Sequence, residues 1–228
     1  MNPQELLARA KEEGRSLLEP EAYAVLAAYG IPVLDYRLAT SPEEASRMAE
    51  EIGFPAAMKV VSPDVIHKSD SGGVKLGIGS PAAAAEAFAE INDAVAESVE
   101  DARIEGVLIV PMAAGGIEVI AGMVRDPQFG PAVMFGLGGI FVEILKDVAF
   151  EIAPVSREEA GRLIKSIKGY PLLAGARGSK PCDLESLGSV ITGLSRLALE
   201  LDEVKEIDLN PVLASPDGAR VLDARILL

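Results

Sequence analysis

The chain has 228 residues, enough to bury a core in one large or two small domains. Its 49% hydrophobic and 25% charged residues are an ordinary globular balance, and no uncharged stretch reaches the roughly 20 apolar residues of a transmembrane helix. A formal net charge of −14 argues against nucleic acid or an anionic membrane as partner, since both require a basic face, and a lone Cys182 excludes an internal disulfide and any multi-cysteine metal cluster.

The opening Met1-Asn2-Pro3-Gln4-Glu5 has no basic leader followed by an apolar run, so no secretory signal is read there and a cytoplasmic location is expected. Residues 21–29 read as a short amphipathic helix closed by Gly30, with Ile31-Pro32 as a stop signal. A strand is expected near 33–38. Ser41-Pro42 opens a helix to residue 52, with Gly53 just past its end. Residues 56–61 are an apolar strand that contains Lys59; after a Ser-Pro-Asp turn the chain returns through His67 and Gly72-Gly73 into a second strand at 74–76. Ser80-Pro81 starts an alanine-rich helix to about residue 97. Residues 103–112 read as a strand ending in Val110-Pro111-Met112, where the proline limits further pairing.

Beyond that point 117–125 and 131–135 read as strands, 136–139 as a glycine turn and 141–152 as extended segments. Ser156 to Glu159 is a capping box for a helix to about 168, residues 169–181 form a loop with Arg177, and Asp183 caps a helix to about 201. Two strands close the chain. The pattern predicts an α/β (α+β) fold of two lobes, 1–110 and 111–228, meeting near 110–116, with a ligand cleft between them.

Two constellations carry chemistry. The first is the Lys59 hairpin. It combines His67, the only histidine, with Lys59, Lys68 and Lys75 and with the pair Gly72-Gly73. Lysines bring point charges to phosphate oxygens, and glycines let backbone N–H groups form an anion-binding nest. The second is the final hairpin, where Ser215-Pro216-Asp217-Gly218 is the turn. A symmetric turn sets Asn210 opposite Asp223 and puts Asp208 on their face, two carboxylates and an amide oxygen suited to Mg²⁺; a glycine bulge would shift that register by one. Gly136 to Gly139 reads as packing rather than a second phosphate loop, Arg177 either reaches a partner or phosphate or is simply solvated, and Cys182 reads as inert.

Lys59, the 67–75 hairpin, the strand opening Gly116-Ile117-Glu118, the run from Phe135 to Glu143 and Asp208-Leu209-Asn210-Pro211 together resemble the ATP-grasp beta subunits of ADP-forming acyl-CoA synthetases, over nearly the whole chain. The resemblance implies an ATP-grasp fold that binds ATP or ADP with Mg²⁺. Lys59 would hold the inner phosphates and Ser71, Gly72, Gly73 and Lys75 the phosphate-covering loop. Val110, Pro111 and Met112 would read the adenine edge and Glu118 would stand near the ribose. Asp208, Asn210 and Asp223 would hold the metal. His67, with Asp70 to orient it, matches a second phosphate carrier. The main phosphohistidine and the CoA site are expected on a separate alpha subunit, in an α2β2 assembly; the free Met1 start and the end at Leu228 favour such a separate subunit. The activity implied is acetyl-CoA + ADP + phosphate ⇌ acetate + ATP + CoA. Two other classes stand beside it: a stand-alone ATP-grasp carboxylate–amine ligase, which needs no His67, and a non-catalytic nucleotide-sensing domain.

Overall fold

A computed structural model describes residues 2–65, 67–139 and 147–228, with the backbone alone at Arg177. The expectations for 140–146, Glu143 among them, and for the Arg177 side chain lie outside the described residues.

Local signals in the sequence place most of the helices. Asn2 caps α1 (Pro3–Glu12), α2 spans Glu19–Ala28, and the Ser41 hydroxyl accepts the Glu44 N–H to open α3 (Pro42–Ile52). Ser80 does the same through Ala83 for α4 (Pro81–Ser98). The Ser156–Glu159 capping box opens α5 (Arg157–Ser166). Asp183 accepts the N–H groups of Glu185 and Ser186, both at 3.0 Å, to start the last helix, Leu184–Glu200. Each cap satisfies backbone donors that have no partner inside the helix. Residues 169–181, expected as a loop, contain a short helix α6 (Tyr170–Leu173) and a 3-10 turn at Ala176–Gly178; Leu184–Glu200 is therefore α7.

The chain divides into two compact units, 34–113 and 2–33 with 114–228. The first is a four-stranded antiparallel sheet in the order β1 (Arg37–Ala39), β4 (Gly106–Pro111), β2 (Ala56–Val61), β3 (Val74–Ile78). Met58, Val60, Val107 and Ile109 on one of its faces pack with Ala45 and Ala49 of α3 and with Phe88 and Ile91 of α4.

The second unit is a six-stranded antiparallel sheet, β5 (Ile117–Asp126), β6 (Gly130–Leu137), β7 (Val148–Ile152), β8 (Glu206–Ser215), β9 (Gly218–Val221) and β10 (Ala224–Leu227), ordered β10-β8-β5-β6-β7 with β9 also on β8. Helix α7 lies against β5 and β6 and α5 against β7. Gly136 is a strand residue rather than part of a turn: it pairs with Ile120 and Val148, and a Cβ there would stand 2.6 Å from the Asp147 carbonyl.

The first 33 residues are where a linear division fails. Assigned from sequence to the first lobe, residues 2–33 pack with the C-terminal unit: Leu17 donates to the Ile226 carbonyl (3.3 Å), Val221 to that of Pro32 (2.9 Å), and Val33 bridges Val221 in parallel. For the same reason α2 is not amphipathic. Glu19, Glu21, Ala22, Tyr23, Val25 and Leu26 are all buried, because β10 and α7 pack on it as well as α1.

Candidate active site

In the 34–113 unit, β2 holds Lys59 half-buried at the centre of the sheet, opposite Leu108 on one side and Val74 on the other. Adjacent strand residues point to opposite faces. Lys59 is thus on the face away from Met58 and the two helices. Lys75 is paired directly with Met58, so it shares the helix-covered face, where its ammonium bonds Glu90 of α4 at 2.5 Å. The expected three-lysine cradle is accordingly split: Lys75 serves a helix contact and is not beside Lys59.

The turn between the strands is closed from within. The buried Ser71 hydroxyl is hydrogen-bonded to the carbonyls of Lys68 (3.1 Å) and His67 (3.3 Å), and the N–H groups of Gly72 and Gly73 donate to Ser69 (3.3 Å) and Lys68 (2.7 Å). Those two N–H groups close the turn instead of standing open as an anion nest. The glycines meet a packing demand: a Cβ on Gly73 would lie 2.5 Å from Val60 Cγ1 and one on Gly72 2.8 Å from Ala94 Cβ. Gly73→Ala should therefore cost roughly 1–3 kcal/mol as overpacking. A melting temperature equal to wild type would show that the turn relaxes freely. His67 and Asp70 are exposed on this turn, and Arg103 clamps its start through a two-pronged ion pair to Asp64 (3.0 and 3.1 Å).

Val110 is 2% exposed and Met112 42%; the Met112 N–H donates to Pro55 at 2.9 Å, and the division between the units falls just beyond, after Ala113. Glu118, in the other unit, is exposed at the start of β5. Its carbonyl accepts the Gly138 N–H (2.8 Å), and Cβ atoms on Gly138 and Gly139 would come within 3.1 and 3.4 Å of it, so this glycine pair is a packing surface for Glu118.

The final hairpin has the symmetric register. Ser215 pairs with Gly218 and Val212 with Val221, and the same register continues into Leu209–Ala224 and Asp208–Arg225. Asn210 thereby faces Asp223 and donates its N–H to the Asp223 carbonyl at 3.3 Å. Asp208, half-buried between Gly122 and Arg225, is pushed above the usual carboxylate range by burial first, then by the negative charges of Asp223 and Glu206, with Arg225 pulling the other way. Two crowded carboxylates beside an amide oxygen fit a hard divalent cation such as Mg²⁺, which would relieve that repulsion. Among the described residues no group of three or more His, Cys, Asp or Glu could hold a metal ion; the hairpin's set is two carboxylates and an amide.

Several residues that shape this unit carried no local signal. Asp147 is buried and accepts the N–H groups of Lys168 (2.7 Å) and Gly169 (2.6 Å); Arg125 donates to the Ala198 carbonyl (2.8 Å) at the end of α7; Tyr23 reaches the Leu222 carbonyl (2.7 Å). All three join elements distant in sequence. Cys182 is buried, its thiol pushed up by that burial and turned to the Ala214 carbonyl at 3.5 Å, which fits an inert role.

The ATP-grasp domain profile matches residues 9–228. Subunit beta of acetate–CoA ligase (ADP-forming) I from Pyrococcus furiosus is 54% identical over 98% of this chain and 97% of its own length. The acetate–CoA ligase (ADP-forming) I of Archaeoglobus fulgidus is 47% identical over 99% of the chain, which spans only 33% of that protein. The acetyl-coenzyme A synthetase 1 of Candidatus Korarchaeum cryptofilum, solved with coenzyme A and Ca-AMPCP, superposes with a TM-score of 0.96 at 49% identity, covering both chains fully. In another complex of that protein, with coenzyme A and Mg-AMPPCP, a phosphohistidine segment points towards the nucleotide binding site (TM-score 0.88, 46% identity, both chains fully covered). The chain belongs to the ATP-grasp family, among the beta subunits of ADP-forming acetate–CoA ligases.

Proposed function

We propose that this chain is the nucleotide-binding half of an ADP-forming acetate–CoA ligase, moving phosphoryl between a partner's phosphohistidine and ADP in the net reaction acetyl-CoA + ADP + phosphate ⇌ acetate + ATP + CoA. The partner is a CoA-binding alpha subunit in an α2β2 assembly, in a cytoplasmic setting. Among the described residues no helix is long and apolar enough to cross a membrane. The observation that carries the reading is the last hairpin, whose register sets Asn210 opposite Asp223 with Asp208 two residues before Asn210 on the same strand.

Lys59 supplies the charge for the inner phosphates, the Val110–Met112 backbone reads the adenine edge and Glu118 meets the ribose. Mg²⁺ held by Asp208, Asn210 and Asp223 would neutralise charge on the phosphate oxygens. His67 takes the phosphoryl group in transit. A ring-nitrogen lone pair forms the new N–P bond as the partner's N–P bond breaks; an ADP β-phosphate oxygen then attacks phosphorus and the electron pair returns to the ring. Asp70 orients the imidazole. Lys75, committed to Glu90, takes no chemical role. Exposed Phe129, Phe150 and Ile152 give a partner subunit apolar surface to cover.

Calorimetric titration with ADP, with and without Mg²⁺, tests the reading. Asn210→Ala should weaken the metal-dependent part of ADP binding by more than about tenfold, since even second-layer partners of a metal cost that much. ADP affinity indifferent to Mg²⁺ in the wild-type chain would remove the metal hairpin from the site and the proposed activity with it.

A further inference from the structure

We propose that Tyr23, 199 residues away from Leu222 in the chain, is a positioning residue for the metal site: its phenol holds the Leu222 carbonyl and so sets where Asp223 stands. The proposal rests on the reading of Asp223 as a metal ligand.

Leu222 and Asp223 lie in the gap between β9, which ends at Val221, and β10, which begins at Ala224. Opposite the gap is Pro211, which has no N–H to give the ladder. The ladder sets the register on both sides, at Val212–Val221 and Leu209–Ala224, and individual bonds refine the two residues between. Within the hairpin, Leu222 N–H donates to Pro211 at 3.0 Å and Asn210 N–H to the Asp223 carbonyl at a long 3.3 Å. The Leu222 carbonyl is anchored from outside by the Tyr23 hydroxyl at 2.7 Å, shorter than either.

Tyr23 is suited to the task. Its residue is 0% exposed, and the ring, with only two torsions, is a stiff strut from α2. Glu19, one turn earlier on the same helix and itself buried, brings a carboxylate oxygen to 2.6 Å of the same hydroxyl. The phenol's one proton is thus shared between two acceptors, the Glu19 carboxylate on its own helix and the main-chain carbonyl next to Asp223. Mg²⁺ demands near-octahedral oxygens at about 2.0–2.1 Å, with a tolerance of roughly 0.2 Å. A displacement of a few tenths of an ångström in the backbone at Asp223 exceeds that tolerance, on the order of 0.2 Å, so the bond one residue away bears on metal affinity. It also gives the packing of residues 2–33 on the C-terminal unit a consequence for the site.

The test is Mn²⁺ binding in the presence of ADP, followed by electron paramagnetic resonance, beside ADP affinity without metal and the melting temperature. Tyr23→Phe keeps the ring and removes the strut's end; Mn²⁺ should bind about 10-fold to 100-fold more weakly, with metal-free ADP affinity unchanged. Leu187→Ala, a core truncation in α7, should lower the melting temperature and leave Mn²⁺ affinity alone. Glu19→Gln, whose amide can donate to the phenol oxygen and leave the phenol proton to Leu222, should keep Mn²⁺ affinity even if it melts earlier; this variant decides the matter should Tyr23→Phe not fold. Wild-type Mn²⁺ affinity in Tyr23→Phe, the same loss in Leu187→Ala, or a loss in Glu19→Gln would each overturn the proposal. Asp223→Asn separates the premise: if it leaves Mn²⁺ binding untouched, the metal assignment itself is wrong, whatever Tyr23 does.

Discussion

With His67 replaced by alanine, the enzyme reconstituted with its alpha subunit is expected to lose acetyl-CoA-driven ATP synthesis by about 10³-fold or more, the scale on which removal of a covalent carrier is felt. That corresponds to about 4 kcal/mol of transition-state stabilisation, well beyond what a changed surface contact supplies. Because His67 is exposed on a turn whose internal bonds use Ser71, Gly72 and Gly73 rather than the imidazole, the substitution should leave the melting temperature and Mg·ADP binding as they are. Turnover within a few-fold of wild type would remove the carrier role and send the phosphoryl group directly from the partner to ADP.

Removing Glu21 is expected to have the largest effect on stability. Its carboxylate accepts two hydrogen bonds from Arg15 (2.6 and 3.0 Å), one from the Leu18 N–H (2.9 Å) and one from Arg9. Arg9 is half exposed and adds little. The Arg15 and Glu21 side chains, by contrast, are only 9% and 7% exposed. Glu21→Ala would leave the largely buried Arg15 guanidinium with the half-exposed Glu13 carboxylate (2.6 Å) and the Ser16 carbonyl (3.0 Å) in place of a two-bond buried carboxylate, a change that costs about 3 kcal/mol and roughly 10 °C in melting temperature for a chain of this size.

The same cluster predicts a pH dependence. Burial pushes the Glu21 carboxyl up, but the bonds from Arg15, Leu18 and Arg9 outweigh it and hold the group below its ordinary value of 4.5. A depressed folded-state value means that the stabilisation is present above about pH 5 and is lost as the pH falls through that lower value. The gap in melting temperature between wild type and Glu21→Gln should therefore narrow on acidification below pH 5. Parallel curves down to pH 3 would show that the ion pair contributes nothing.

Where a structural decision is made within a few residues, the sequence reading and the structure agree. The serine and aspartate caps at 41, 80, 156 and 183 open helices because a side-chain oxygen and the N–H it satisfies are at most three residues apart. The last hairpin is a stronger case: a two-residue loop at Pro216-Asp217 leaves the strands one register, and Asn210 opposite Asp223 follows. The Lys59 hairpin has the opposite character. Twelve residues separate β2 from β3, too many for the turn to set the register. Whether Lys75 shares a face with Lys59 was open in sequence, and the pairing with Met58 sends it to Glu90.

The amino-acid sequence by itself determined the order of the elements, the caps, the register of the last hairpin and a likeness running the length of the chain, because each is written in contiguous residues or in motifs that keep their order. Only the tertiary structure decided that α2 is buried on several sides against the C-terminal unit, that Gly72 and Gly73 spend their N–H groups on their own turn, and that Tyr23 reaches Leu222. Those outcomes depend on contacts between segments far apart in the chain. Burial, which has no local period once a helix is covered on more than one side, selects among them.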